Sequence, residues 1–156
     1  MHHYTATVTW SRGSDPFTDL RYNRAHRWRF DGGLEVPASA SPQHVRVPMS
    51  DPAGVDPEEA FVAALSSCHM LSFLFVAAKH GIIVDAYADE AEGVMAENAE
   101  GRLSITRVVL RPAVTYASAP HPATEAALHH EAHEICYIAN SVRTDVTVEP
   151  RATPAS

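Results

Sequence analysis

The chain predicts an α+β fold in one domain, residues 1–150, followed by a short tail, 151–156. Three observations carry this. Segments with a two-residue apolar alternation stand in groups around two helical segments instead of alternating with them one for one. One helix, over residues 56–81, has both a start signal and a stop signal. Finally, 156 residues of which 46% are apolar and 20% charged suffice for one real core.

The elements follow in order. Residues 4–10, YTATVTW, alternate Thr with Ala, Val and Trp, and predict a half-buried strand. A polar loop with Gly13 and Pro16 leads to HRWRF, which places Trp28 and Phe30 on one face and Arg27 and Arg29 on the other. Gly32 and Gly33 break that strand. Residues 34–55 are extended and punctuated by proline, a short strand plus loop. In the long helix Asp56 is the N-cap, Pro57 suits the first helical position, and Glu59 has the spacing of a capping box. Gly81 is the stop. Residues 82–95 and 103–117 predict strands joined by a turn at ENAEGR. Residues 124–142 predict a second helical region kinked near Cys136, and TDVTVEP a last strand.

Residues 61–78 carry no formal charge, and apolar side chains cover nearly the whole circumference. Such a helix is buried on all sides or lies in a membrane. Ser66, Ser67, His69 and Ser72 speak against the membrane. A 17.0 kDa domain hardly wraps such a helix alone, so a second copy of the chain is expected to supply the missing wall. A net charge of −7 without a basic stripe excludes nucleic acid as the expected partner. The N-terminus reads as a strand, not as a charged and apolar leader, and two cysteines make no secreted disulfide framework. The expected compartment is the cytoplasm, where a pair of thiols is commonly catalytic or redox-sensing.

Cys68 lies midway along the apolar helix. A thiolate is the reactive form, and apolar burial opposes it. A mid-helix position also denies Cys68 the help of a helix N-terminus. A reactive Cys68 therefore needs a cation from elsewhere, and arginine suits because it keeps its charge when buried. Cys136, in AHEICYIANSV, either meets Cys68 in a reversible disulfide or is an inert core residue; spacing decides neither. Glu59 closes the capping box, which leaves Glu58 free to pair. In HHEAHE, His129 and His133 stand one turn apart, but the H-E-x-x-H order is missing, and no metal is expected. His69 points about 100° away from Cys68 around the helix.

DPEEAFVAALSSC and AHEICYIANSVRTDVTVEP together resemble the OsmC/Ohr family, the osmotically inducible and organic hydroperoxide resistance proteins. The resemblance rests on Asp56-Pro57-Glu58 ten residues before Cys68, on Ala132-His133 before Cys136, and on Asn140. It implies an intertwined α+β homodimer with long central helices packed between antiparallel sheets. It further implies a thiol peroxidase, peroxiredoxin-like in activity, with Cys68 the peroxidatic thiol and Cys136 the resolving one. Glu58 would hold the activating arginine, which comes from the loop before the second strand. Arg24 is the choice, with Arg21 in reserve and Arg27 just inside the strand. No bound cofactor is implied, only an external dithiol reductant of lipoyl type. Tyr137 and Ala139 stand where the family carries proline and serine.

Ten residues of helix advance about 15 Å, so Glu58 does not reach Cys68 of its own helix. Two antiparallel copies crossing near residue 63 would bring each Glu58 to the partner's Cys68, with Ala60, Ala63, Ala64 and Ser67 permitting close approach. Two other classes compete: a cysteine-histidine acyl hydrolase, and a non-catalytic dimer that binds an apolar ligand on the same scaffold.

Overall fold

The computed structural model describes residues 1–151. Most of the expected tail, residues 152–156, lies outside the described residues. The described chain is α+β, as predicted, with two α-helices and three sheets. It divides into two compact units at residues 60 and 61.

The first unit holds an antiparallel sheet of β1 (Ala6–Thr9), β2 (His26–Phe30) and β3 (Glu35–Ala38). Ala6 pairs with Phe30, and His26 with Ala38. The predicted half-burial of the first strand is not found: all four β1 side chains are exposed. The alternation of Thr with apolar residues suits a pleated surface, but no second layer covers β1 within its unit. The loop between β1 and β2 closes on Trp10, Phe17 and Tyr22, with Phe17 stacked on Tyr22 at 4.6 Å and Trp10 Nε1–H donating to the Asn23 carbonyl at 2.8 Å. Gly54 is required where it stands, because a Cβ there would lie 2.9 Å from the Ala38 carbonyl carbon. The unit ends as helix α1 (Pro57–Lys79) begins. Its cap is the predicted box: the Glu59 N–H donates to Asp56 Oδ1 at 2.8 Å, and the Asp56 N–H to Glu59 Oε2 at 3.3 Å.

In the second unit α1 ends as its sequence dictates. Gly81 takes φ +71°, the Gly81 N–H reaches the Ala78 carbonyl, and the Ile82 N–H reaches the Ala77 carbonyl at 2.9 Å. This is a Schellman stop, and Ile82 packs against the core cluster that contains Ala77. By length and composition α1 passes for a membrane span, but Leu65, Phe73, Val76 and Ala77 are fully buried against the other elements of this unit.

The two predicted long strands each break into two: β4 (Val84–Asp89) and β5 (Glu92–Glu97), then β6 (Leu103–Leu110) and β7 (Pro112–Tyr116). β4 pairs with β7, and β5 with β6, both antiparallel. The breaks face each other, and the Asp89 carboxylate binds them by accepting the Arg111 N–H at 2.6 Å. Pro112 supplies no N–H to continue the strand through this point. Helix α2 (Pro122–Ile135) follows, then a 3₁₀ turn (Ala139–Ser141), and β8 (Asp145–Val148) returns parallel to β6.

Two core clusters lie along α1. Leu65 packs with Val108 and Leu110 of β6, joined by Ile138 and Val142. Phe73, Val76 and Ala77 pack with Val114 of β7 and Leu128 and Ala132 of α2. Cys68 falls between the two.

Candidate functional site: a thiol pair

The first thiol arrives on α1 and the second at the end of α2. The second helical region does not kink at Cys136 as its sequence predicts; α2 ends there, with Cys136 as its C-cap at φ −70°, ψ 109°. Asn140 makes the stop. Its side-chain amide donates to the Glu134 carbonyl at 2.9 Å and to the Cys136 carbonyl at 3.0 Å, satisfying groups the helix leaves open. Its own backbone N–H also donates to the Cys136 carbonyl, at 3.0 Å. The 3₁₀ turn that follows aims backbone N–H groups at the sulfurs.

Both cysteines are free, and their side chains meet. The Ile138 N–H donates to Cys68 Sγ at 3.4 Å. Cys136 is fully buried, at 0% exposure. Burial pushes its thiol up to about 11; its hydrogen bond with Cys68 acts the same way, while the Ala139 and Ile138 N–H groups oppose both. Cys136 therefore keeps its proton at neutral pH and presents an S–H toward Cys68. Cys68 is partly exposed. The arrangement is one accessible sulfur that receives donors and one buried thiol that stays protonated beside it.

The histidines form a second buried group in the same unit. His69 Nε2 meets His129 Nδ1 at 3.1 Å, the rings lie 11° from parallel, and Phe73 stacks on His129 at 4.2 Å. Burial lowers both to about 4; His133 adds to this at His69, where Asp89 opposes it, and at His129 the neighbouring His69 ring adds to the effect of burial. Both are neutral at pH 7, so one ring donates its N–H and the other accepts. His69 Nδ1, His129 Nε2 and His133 Nδ1 are buried with no hydrogen-bond partner among the described residues. Among the described residues no group of three or more His, Cys, Asp or Glu is arranged to hold a metal ion.

Of the four predicted site residues, Cys68 and Cys136 are brought together. Arg24 and Glu58 belong to the first unit. The Arg24 guanidinium donates to the Leu20 carbonyl at 2.8 Å and to the Tyr22 carbonyl, and lies 3.7 Å from the centre of the Tyr22 ring. Arg21, the reserve, is on the same loop, its N–H held by Asp19 Oδ1 at 3.1 Å. Glu58 Oε2 is buried without a partner among the described residues, and the Arg24 guanidinium is engaged by the Leu20 and Tyr22 carbonyls and not by Glu58 among those residues. A groove of the second unit, about 760 Å³ between Phe61, Glu97, Glu100, Ile105 and Arg143, is lined by neither cysteine. Sequence reasoning missed the Ile138 donor, which is backbone and has no side-chain signature. It also missed the His69–His129 contact, since the two residues are 60 positions apart.

The fold and this site define an α+β protein built around two facing thiols, one at the middle of a long helix and one at the end of a shorter one. The chain belongs to the OsmC-like protein family, whose model matches residues 50–151. It is similar over 97% of its length to all of an OsmC-like protein of unknown function from Vibrio cholerae, at 53% identity and a TM-score of 0.94. An organic hydroperoxide resistance protein from Elizabethkingia anophelis shares the fold at 17% identity and a TM-score of 0.72, over 99% of this chain and 98% of that one. The organic hydroperoxide resistance protein OhrB of Bacillus subtilis does so at 18% identity and a TM-score of 0.65, over 97% of this chain and 98% of that one. No curated protein matches the chain.

Proposed function

We propose that the chain is a thiol peroxidase that reduces organic hydroperoxides, acting as a cytoplasmic homodimer in defence against oxidative stress. The observation that carries this reading is the meeting of an accessible Cys68 with a buried, protonated Cys136. Membership of the OsmC-like family, and the hydroperoxide resistance named for proteins of the same fold, support it.

The Cys68 thiolate attacks the distal oxygen of R–O–O–H. The O–O bond breaks, the sulfur becomes a sulfenic acid, and the alkoxide takes a proton and leaves as alcohol. The Cys136 thiol then attacks the Cys68 sulfur; the S–O bond breaks, the disulfide forms and water departs. An external dithiol of lipoyl type reduces the disulfide and restores both thiols. The Ile138 N–H and a guanidinium stabilise negative charge on sulfur and on the departing oxygen. Arg24, oriented by Glu58 of the other protomer, is the guanidinium we assign. This requires Arg24 to leave the carbonyls of its own loop in the assembled protein.

A homodimer gives α1 its missing wall. Ala64, Ser67, Leu71, Phe75 and Ala78 form an exposed stripe at helical spacing, with Leu71 at 61% and Phe75 at 62% exposure. Apolar side chains near the thiols favour organic peroxides over hydrogen peroxide.

The acyl-hydrolase alternative needs an imidazole on Cys68, whereas His69 and His129 bond each other. An apolar-ligand carrier would have unreactive thiols. Steady-state turnover of cumene hydroperoxide with a dithiol reductant tests the assignment. Cys68→Ser should lower it by at least about 10³-fold, leaving only adventitious chemistry. Cys136→Ser should oxidise once per chain and then stop. Full activity in Cys68→Ser would overturn the reading.

A further inference from the structure

The histidines take no part in the reaction above, yet two of them form the buried polar contact between the helices that carry the thiols. His69 follows Cys68 on α1. His129 lies on α2, two helical turns before Cys136 on the same face. The remaining buried partners in this packing, Phe73, Val76, Ala77, Leu128 and Ala132, are apolar; the other polar contacts between the two segments, Glu131 of α2 with Lys79 and His80, are exposed to water, which can replace them. Apolar contacts are non-directional and tolerate small slides of one helix on another. A hydrogen bond between two buried rings does not: a slide of α2 by one residue, about 1.5 Å, breaks the 3.1 Å contact and strands two more nitrogens away from water. His69 and His129 are 1% and 4% exposed, so water offers no substitute partner.

We propose that His69 and His129 are positioning residues whose mutual hydrogen bond fixes the register of α2 on α1 and thereby seats Cys136 against Cys68 for disulfide formation. This rests on the reading of Cys68 and Cys136 as a redox pair. The step it serves is balanced: Cys68–SOH and Cys136–SH give the disulfide and one water, the oxidant being the hydroperoxide already consumed.

The test is a redox titration of the full chain in glutathione buffers, which reads the effective concentration of the two thiols without any peroxide. Thermal unfolding establishes that each variant is folded. His129→Leu removes the partner of His69 and should lower the effective concentration about tenfold, the worth of one buried hydrogen bond. His129→Asn places an amide where Nδ1 stood and should restore it. The first oxidation of Cys68 by cumene hydroperoxide should stay within about twofold of the parent chain in both, because the contact acts on the second step. Should His129→Leu fail to fold, His69→Leu and His69→Gln give the same comparison from the other ring, the glutamine reaching to the place of Nε2. A folded leucine variant with the parent effective concentration overturns the proposal, as does a folded asparagine variant no better than leucine. A parent chain that forms no Cys68–Cys136 disulfide in any buffer also overturns it. A parent chain that forms the disulfide but ignores hydroperoxide overturns the peroxidase reading and leaves this one standing.

Discussion

The Ile138 N–H donates to the Cys68 sulfur at 3.4 Å, two residues beyond the cysteine that faces it. The turn that buries Cys136 thus also supplies a donor to Cys68, so sequence after α2 reaches a sulfur on α1. The donor is removable. Ile138 has φ −71°, close to the value a proline ring imposes.

Ile138→Pro therefore deletes the N–H without forcing φ, and Ile138→Ala controls for the apolar packing lost with the side chain. Alkylation of Cys68 by iodoacetamide at pH 7 should be about tenfold slower in the proline variant than in the alanine variant. Equal rates in two folded variants would mean that the backbone donor does nothing for the thiolate.

The buried histidine pair sets an acid limit on stability. Both rings are lowered to about 4 from the ordinary 6.5, by burial first, with His133 adding to this at His69 and Asp89 opposing it. Between those values the unfolded chain binds protons that the folded chain refuses, so stability falls as pH drops from about 6.5 toward 4 and levels off below. The loss should reach a few kcal/mol in all, on the order of the combined shifts. Denaturant unfolding across this window checks it, and His129→Asn should roughly halve the slope. A flat profile from pH 7 to 4 would contradict the burial of two neutral imidazoles.

The exposed stripe on α1 predicts self-association. Leu71→Arg places a charge in the middle of the proposed helix contact, and burying it unpaired costs several kcal/mol. Light scattering should give a dimer for the parent chain and a monomer for the variant at micromolar concentration. A monomeric parent would remove the wall we assign to the second copy and, with it, the reach of Glu58 to a partner's Cys68.

The class of fold and both ends of α1 were legible, because local chemistry writes them: Asp56 with Glu59 at the start, Gly81 at the stop. The two cysteines were legible as candidates but not as neighbours. What joins them is tertiary, the packing of α2 on α1 and a turn whose donors are backbone groups. The sequence predicts a kink and not an end at Cys136 because neither glycine nor proline follows; Asn140 ends α2 from four residues away. The sequence predicts single long strands across the breaks at Asp89 and Arg111, since apolar residues resume beyond each, at Val94 and Met95 and at Ala113 and Val114. The exposure of β1 was not legible, because alternation reports that a strand has two different faces and not that anything covers one of them.

The most direct test counts thiols. One equivalent of cumene hydroperoxide is added to the reduced protein, and free thiols and intact mass are read before and after. The account predicts that both thiols of each chain disappear together and that the mass falls by two hydrogens, as a disulfide between Cys68 and Cys136 requires. Two free thiols remaining, with the hydroperoxide unconsumed, would contradict it.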